Sequence, residues 1–362
     1  SYQDSGLRKL RRLFAPAIAP ACFLYEGRTT SGASLRVLAV GVGAFRHYFA
    51  KAAFEVVHEP VALASTEAEN VGKIAGEQGA DLILVSAQHA KRMPGLLANG
   101  LLLPNWLSGS VRLNRDDITT GHNYHRRRDI RIVRESKLTY HVTVDSAELT
   151  RWYESMYVPL INASHGDAAL QMDREDMLRR AGAGEAELIV ISQANVPVGG
   201  ALLAYDKGRP RVWSRGILNA DRDLQRAGVG AAIYLFAFEH LLDAGHGSVD
   251  IGRVRPFLRD SGLHYKKKNG FRLDHCPGAG FVLADVTGSA GSLAFFQENP
   301  LVHIRQGDPV GLVVISKDES LESKALGKTL KYCEIPGLSH IDVVRITNGA
   351  KVTPGEIATA SA

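Results

Sequence analysis

The pattern of apolar and polar residues divides the first third of the chain into short strands that alternate with helices. Two runs that are apolar almost throughout, 35–42 and 81–86, predict strands covered on both faces. Between them, 45–56 and 66–78 have the spacing of helices, and 61–64 predicts a short strand. This alternation is typical of an α/β layer.

The middle of the chain predicts a sheet built mainly from antiparallel strands. Alternating runs predict strands at 130–133 and 139–144, and the runs 187–192 and 198–205 predict a hairpin through a turn at 195–197. Helices are predicted after capping residues, over 147–156 after Asp145-Ser146 and over 177–181 after Asp173–Asp176.

The next segment predicts a strand, a glycine loop, a helix and a second strand. In chain order these are a strand over 211–218, a loop over 225–230, a helix over 231–244, a strand over 248–254 and a basic segment that ends at Gly270-Phe271. This order places the N–H groups of a helix N-terminus beside a strand. A site of this kind can hold an anionic acyl donor.

After residue 290 the chain repeats an earlier pattern. The runs 301–305 and 310–316 predict a hairpin like that of 187–205, and a helix near 320–332 and a strand over 341–346 follow. The repeat suggests two related sheets. We therefore expect an α/β (α+β) fold with mixed, mostly antiparallel sheets flanked by helices.

Length and composition fit a globular protein with two domains. The chain has 362 residues, of which 45% are hydrophobic and 22% are charged. Its net charge of +5 favours anionic ligands such as CoA phosphates, RNA or an anionic membrane surface, although a merely basic surface explains it equally well.

The cysteines and the apolar runs limit the cellular setting. Cys22, Cys276 and Cys333 are far apart and have no zinc-binding spacing, so we expect no metal, a reduced cytoplasmic setting and buried structural cysteines. No apolar run reaches the roughly 18 residues that a membrane span needs. A short amphipathic helix is predicted over 7–14.

The glycine loop is the strongest candidate for a binding site. Gly228 and Gly230 allow unusual backbone angles and close approach of a ligand, and the following helix presents unpaired N–H groups and a positive dipole end. A phosphate or pyrophosphate is the natural partner, although a loop that simply turns is the alternative. Gly41 and Gly43 leave the same choice between a nucleotide site and a packing turn.

The loop resembles a known family motif. The residues Gln225, Arg226, Ala227, Gly228, Val229 and Gly230 are similar to the acyl-donor loop of the GNAT (Gcn5-related N-acetyltransferase) superfamily, and Gly270-Phe271 is similar to the end of its next motif. Other segments resemble the branch related to the FemAB aminoacyl transferases: Met156–Pro159, His165-Gly166, Val249–Gly252, Arg255–Asp260 and Tyr265–Phe271. Tyr265 lies five residues before Gly270, whereas the ordinary family tyrosine lies four before.

The resemblance implies a division of the chain. It implies a degenerate GNAT-like domain over 1–129, a GNAT acyltransferase domain over 130–294, and a segment over 295–346 that completes the first domain. Residues 347–362 are small and polar, so a flexible tail is expected there.

The resemblance also implies the reaction. An acceptor amine attacks the acyl carbonyl directly, and a strand N–H near Arg215–Leu218 stabilises the oxyanion. The N–H groups of Arg226 to Gly230 hold the pyrophosphate of acyl-CoA, which is a co-substrate rather than a resident cofactor.

Several side chains are candidates for the chemistry. Tyr265 is the candidate acid or donor-positioning residue, with a half-buried aromatic as the alternative. Asp250 is the candidate base or amine anchor, or the partner of a salt bridge with Arg253. Candidate substrate-binding residues are Trp213, Arg215, Arg253, Arg255, His264 and Lys266, for which core packing of the tryptophan and plain surface charge of the others are the alternatives.

A run of arginines over 114–135 surrounds Tyr124. This run is either a contact for nucleic acid or a solvated linker between domains. Three functions therefore stay open. They are an N-acyltransferase that uses acyl-CoA or another pantetheine thioester, an aminoacyl-tRNA-dependent transferase that acts on a small-molecule or peptide amine, and a non-catalytic binding protein. The sequence does not determine the oligomeric state.

Overall fold

The computed structural model describes residues 19–65, 67–121, 123–165, 171–275, 278–347, 349–355 and 357. Within them the chain forms three sheets that are flanked by helices, and most neighbouring strands are antiparallel. The expected α/β fold with mixed, mostly antiparallel sheets is therefore confirmed. Some sequence predictions lie wholly or partly outside the described residues: the helix at 7–14, Cys276, Gly166 and the end of the tail.

The strands of the first sheet come from both ends of the chain. In chain order the strands are β1 (Cys22–Arg28), β2 (Ser34–Val40), β3 (Val61–Leu63), β4 (Leu82–Ser86), β5 (Leu101–Pro104), β6 (Ser108–Arg112), β7 (Leu138–Thr143), β8 (Ala186–Gln193), β9 (Val196–Asp206), β10 (Arg209–Ile217), β11 (Ser248–Asp250), β12 (Arg272–His275), β13 (Ala279–Asp285), β14 (Leu301–Arg305), β15 (Asp308–Ser316) and β16 (Ile341–Ile346). The first sheet has the order β3-β1-β2-β4-β13-β5, the second β12-β6-β11-β10-β9-β8-β7, and the third β14-β15-β16.

Helices cover the sheets and connect their strands. In chain order they are α1 (Phe45–Ala53), α2 (Val71–Glu77), α3 (Ala87–Ala90), α4 (Pro94–Asn99), α5 (Arg115–Thr119), α6 (Tyr124–Glu135), α7 (Ser146–Trp152), α8 (Val158–His165), α9 (Arg174–Gly182), α10 (Arg222–Arg226), α11 (Val229–Asp243), α12 (Ser261–Lys268), α13 (Ala290–Glu298) and α14 (Lys324–Cys333). A π-helical turn, Tyr153–Tyr157, joins α7 to α8.

The first two sheets exchange one strand each. β5 lies in the first sheet, but β6, which follows it directly, lies in the second sheet between β11 and β12. Likewise β12 lies in the second sheet, and the following β13 lies in the first between β4 and β5. The domain boundaries at 129/130 and 294/295 stay a prediction. The first sheet contains β13 and the second sheet contains β6, and each of these strands lies on the other side of the 129/130 boundary from most of its sheet.

The predicted strand at 130–133 is wrong, because these residues lie inside α6. The Asn123 side chain accepts a hydrogen bond from the backbone N–H of Arg126 and so begins the helix. The buried residues of α6 are spaced by three and four, namely Arg126, Asp129, Ile130 and Val133. The segment predicted as a possible solvated linker is therefore largely helical, with α5 and α6 packed against α11.

Two other local predictions need correction. The hairpin between β8 and β9 turns at Ala194-Asn195, which both have positive φ (48° and 65°), and not at 195–197. Asn195 favours this type I′ turn, and Val196 and Pro197 belong to the strand. Of the strand predicted over 248–254, only Ser248–Asp250 forms a strand, β11.

The third sheet packs against both of the other cores. Leu312 and Val314 of β15 belong to the hydrophobic core of the first sheet, whereas Val313 and Ile315 belong to that of the second. Part of the predicted tail is packed too, because Val352 is 1% exposed. Its backbone N–H donates to the buried Asp285 carboxylate at 3.0 Å.

Candidate functional site

The predicted glycine loop is a tight turn between two helices. Gln225 and Arg226 are the last residues of α10, and α11 begins at Val229 rather than at residue 231. Gly228 has φ +95°, in the left-handed region that favours glycine. A Cβ there would lie 2.7 Å from Cγ2 of Ile132, so α6 also packs directly on the turn.

Only some of the predicted amides are free to hold an anion. The N–H groups of Ala227 and Gly228 donate to carbonyls of α10 and close that helix, so the prediction that all amides from Arg226 to Gly230 bind phosphate is too broad. The N–H groups of Val229 and Gly230 belong to the first turn of α11, where no carbonyl of the same helix can accept them. The dipole of this helix adds positive charge at the same place.

A cavity of about 400 Å³ opens at this turn, and we call it the α11 cavity. Three cationic side chains line it: Arg215 of β10, Arg226 of α10 and Lys268 of α12. Gln225, Gly228, Gly230 and Tyr265 line it too, so the structure brings these sequence-predicted residues together. The side chain of Val229 instead points into the core, where the residue is 0% exposed.

An ion pair crosses the α11 cavity. The Lys268 ammonium lies 2.5 Å from Oδ2 of Asp129, whose side chain is 12% exposed. Sequence reasoning missed Asp129, and it named Lys268 only as part of the basic motif. The sequence signal for Asp129 is its spacing, since it lies three residues after Arg126 and four before Val133. In a helix this spacing places it on the buried face of α6.

The second sheet opens beside the cavity. β10 and β11 are parallel and pair only at Arg211 and Asp250, and β10 has an irregularity between Val212 and Ser214. Beyond this pair the two strands diverge. The corresponding parallel pair of the first sheet, β2 and β4, is paired at four successive positions and so leaves no opening.

The Lys266 side chain contacts the segment that follows β11. Its ammonium donates to the carbonyl of Arg253 at 3.0 Å and lies 3.2 Å from where a Cβ on Gly252 would be. Burial lowers the pKa of Lys266 to about 8, and the charge of Asp250 offsets part of this effect. Asp250 itself accepts a hydrogen bond from the N–H of Gly252 at 2.6 Å and is absent from the residues that line the α11 cavity.

The Tyr265 side chain is hydrogen-bonded to the turn. Its hydroxyl donates to the carbonyl of Gly230 at 2.6 Å, and the Arg215 guanidinium lies 5.1 Å from its ring centre. Burial raises the pKa of Tyr265 well above its ordinary value. This geometry favours positioning of the turn over proton donation.

Four other predicted substrate-binding residues, like Lys266, are absent from the lining of the α11 cavity. Trp213 packs against the guanidinium groups of Arg180 and Arg211, at 4.9 and 5.9 Å from its ring centre. Arg255 lies over the Trp106 ring at 3.4 Å. Nε2 of His264 donates to the Leu258 carbonyl at 2.8 Å, and the His264 ring stacks on Tyr332. Arg253 is exposed, and its carbonyl accepts a hydrogen bond from the Lys266 ammonium.

The N-terminal glycine pair serves packing. A Cβ on Gly41 would lie 2.5 Å from Nδ1 of His89, so this side chain covers the turn. His89 is held in place by Ser86, whose hydroxyl is 2.7 Å from the same nitrogen. The structure thus favours the packing turn over a nucleotide site.

Three further features remain: possible metal ligands, the cysteines and the apolar helices. Within the described ranges, no group of three or more His, Cys, Asp or Glu side chains is placed to hold a metal ion. Cys22 and Cys333 are buried, as expected for structural cysteines. No helix in the part of the chain that the structure describes is long and apolar enough to cross a bilayer.

Comparison with solved structures finds similar chain paths at low sequence identity. A structure of FemX is 13% identical, covering 72% of this chain and 83% of its own, with a TM-score of 0.38. L-PGS from Bacillus licheniformis is 11% identical, with 72% and 83% covered and a TM-score of 0.32. A GCN5-related N-acetyltransferase from Kribbella flavida is 9% identical, with 83% and 62% covered and a TM-score of 0.27.

No protein-family model matches the chain, and no curated protein is similar to it. Because the TM-scores run only from 0.27 to 0.38, we infer function from the side chains of this chain.

Proposed function

We propose that this chain is an acyltransferase that holds an anionic acyl carrier at the first turn of α11 and passes the acyl group to an amine. The observation that carries the proposal is the α11 cavity. It combines the N–H groups that open a helix with the cations Arg215, Arg226 and Lys268. Backbone N–H groups, a helix dipole and three positive side chains together favour a phosphate-bearing carrier, although Arg226 also pairs with Asp223 and Lys268 with Asp129.

The reaction needs no covalent enzyme intermediate. The acceptor amine attacks the acyl carbonyl, a C–N bond forms, and the bond from the acyl carbon to the carrier sulfur or oxygen breaks. The amine loses one proton, and the leaving group takes one up. The acceptor is a small-molecule or peptide amine.

Lys266 and Asp250 are the candidates for handling charge in this step. Because the pKa of Lys266 is lowered to about 8, its ammonium can donate a proton near neutral pH to the oxyanion or the leaving group. Asp250, whose negative charge acts on Lys266, is the candidate that binds or orients the acceptor ammonium. Asp250 lies at the last paired position of β10 and β11, and the Lys266 ammonium is bonded to the Arg253 carbonyl just beyond β11.

Acyl-CoA or another pantetheine thioester is the first choice of carrier. Adding CoA should raise the melting temperature of the protein. Gly230 offers a sharp test, because a Cβ there would meet only the Tyr265 hydroxyl, at 3.7 Å. Gly230→Glu places a carboxylate at the amides and should abolish the CoA response, whereas Gly230→Ala should keep it. No response of the wild type to any CoA would contradict this carrier.

Tyr265→Phe separates positioning from proton donation. The variant loses the hydrogen bond to the Gly230 carbonyl, which is worth about 1 kcal/mol. If Tyr265 positions the turn, KM for the acyl carrier should rise by about fivefold with kcat nearly unchanged. A kcat lower by roughly 10²-fold or more would instead identify Tyr265 as the acid.

Aminoacyl-tRNA is the second candidate carrier, and the outer face of α6 favours it. Arg127, Arg128 and Arg131 are exposed on this face, and Tyr124 is 68% exposed at its start. The same helix lines the α11 cavity through Asp129 and Ile132. A polyanion could therefore lie along α6 with its acylated end in the cavity.

The second carrier predicts salt-sensitive tRNA binding. Arg128→Glu should weaken tRNA binding and reduce its dependence on salt, whereas Lys328→Glu on the exposed face of α14 should not. Filter binding over a series of salt concentrations measures both. Equal effects of the two variants, or activity that survives RNase treatment, would remove this candidate.

A further inference from the structure

Arg126 is buried without a carboxylate partner. The residue is 2% exposed, and its Nη1 donates to Oδ1 of the buried Asn269 at 2.9 Å. Its guanidinium carbon lies 5.6 Å from the centre of the Phe238 ring. No carboxylate in the described part of the chain forms an ion pair with it. A buried guanidinium that is left in this state is energetically unfavourable.

The nearby carboxylates do not neutralise this charge. Asp129 lies on the same buried face of α6 but is paired with Lys268 at 2.5 Å. Asp117 acts on Arg126 through its charge rather than through a direct ion pair. Burial lowers the pKa of Arg126, and Asp129 and Asp117 only partly offset this effect.

The guanidinium lines a separate cavity of about 290 Å³, which we call the Arg126 cavity. None of its lining residues lines the α11 cavity, and Asn269 and Gly270 line it beside Arg126. Four apolar side chains form part of its wall, Val111, Leu113, Ile118 and Phe238, beside the amides of Asn114 and Asn269. Arg112 and Asp117 add one charge of each sign.

We propose that the Arg126 cavity binds a small molecule that carries a carboxylate or phosphate on a short apolar body. A planar guanidinium matches the two oxygens of such a group and would gain the missing counter-charge. The apolar part of the wall suits a body of a few carbon atoms, and the volume lies at the small end of ligand sites. This site is independent of the acyl carrier and of the proposed reaction.

Calorimetric titration tests the site directly. The probes are hexanoate, inorganic phosphate and, as a cationic control of the same length, hexylamine. We expect wild type to bind at least one of the two anions and not to bind hexylamine. Arg126→Met should bind that anion about tenfold or more weakly than wild type does. Arg28→Met, which removes an exposed arginine of the first sheet, should bind as wild type does. The anion with the lower Kd identifies the head group.

A second variant keeps the test decisive if Arg126→Met does not fold. Arg126→Lys retains the charge but loses the two-pronged geometry, so it should bind hexanoate several-fold more weakly than wild type. Absence of binding by wild type, or binding that is unchanged in Arg126→Met or Arg126→Lys, would overturn the proposal. A lower melting temperature of Arg126→Met with no anion bound to wild type would show that Arg126 only supports Asn269.

Discussion

Gly228 is required for two separate physical reasons, and a substitution can tell them apart. Its φ of +95° costs any L side chain roughly 1–2 kcal/mol, and a Cβ would also press on Ile132 at 2.7 Å. Gly245 has φ +86° with no atom within 4 Å of where its Cβ would lie, so it isolates the first cost. We expect Gly228→Ala to lower the free energy of unfolding by roughly 1–3 kcal/mol more than Gly245→Ala.

Urea unfolding of the two alanine variants measures this difference. Equal losses would mean that α6 does not pack on the turn. A larger loss in Gly228→Ala would show that the turn glycine serves the fold as well as any ligand. The same contact explains why a glycine motif in a sequence cannot by itself establish a phosphate site.

At the residue scale, the sequence predicted the members of the site that follow one another along the chain. Gln225, Arg226, Gly228, Gly230 and Tyr265 line one cavity, whereas Ala227 and Val229 do not. Trp213, Arg255 and His264 lie elsewhere because their partners come from distant segments: Arg180, Trp106 and Tyr332. Such partners have no local signal in a single sequence.

Asp260 connects two elements, and its cap can be compared with an isolated one. Its Oδ1 accepts the backbone N–H of Leu263 at 2.9 Å and begins α12, and its Oδ2 accepts the hydroxyl of Tyr48 on α1. Asp173 begins α9 in the same way, but it is exposed and bonds only to backbone N–H groups of its own helix. Removal of either cap costs about 1 kcal/mol.

We therefore expect Asp260→Ala to cost more than Asp173→Ala. The additional loss should be roughly 1–3 kcal/mol, because a charged hydrogen bond is lost and the Tyr48 hydroxyl is left half-buried. Chemical denaturation of both variants, together with Tyr48→Phe, checks this. If Tyr48→Phe and Asp260→Ala do not share the additional loss, α1 and α12 are not coupled through this bond.

At the element scale, the strongest local patterns predicted the right structure. The hairpins of β8-β9 and β14-β15 and the strand β16 follow their apolar runs closely. The end of α6 resembles a strand in sequence because Ile130, Ile132 and Val133 nearly alternate with arginines, while its helical signal consists of polar residues that are buried. β6 has no strand signal because Ser108–Arg112 has little apolar content, although its partners on both sides make it central.

His303 makes the stability of the whole molecule depend on pH, because the third sheet belongs to both cores. It is 4% exposed, and Nε2 lies 3.8 Å from Oδ2 of Asp342, which also pairs with Arg305 and His340. Burial lowers the pKa of His303 to about 4, from 6.5 when the chain is unfolded. Between these values the unfolded chain takes up a proton that the folded chain does not.

Stability should accordingly fall as the pH decreases from about 6.5 to about 4, by up to roughly 3 kcal/mol from this one group. Above pH 6.5 the neutral imidazole contributes no pH dependence. His303→Leu should flatten the dependence in this window when the free energy of unfolding is measured by urea at several pH values. Parallel curves for wild type and variant would assign the pH dependence to other groups.

The exchange of β6 and β13 predicts that the halves of the molecule do not fold along the predicted boundaries. A fragment over 130–294 lacks β6, so β11 and β12 lose the strand that joins them, while β13 is left without β4 and β5. A fragment over 105–275 has every strand of the second sheet and omits β13. Both lack the third sheet, and 130–294 also begins inside α6 and lacks α5. We expect cooperative urea unfolding, followed by circular dichroism, only for 105–275. If 130–294 unfolds as cooperatively and at the same midpoint, β6 is dispensable and the two sheets are independent after all.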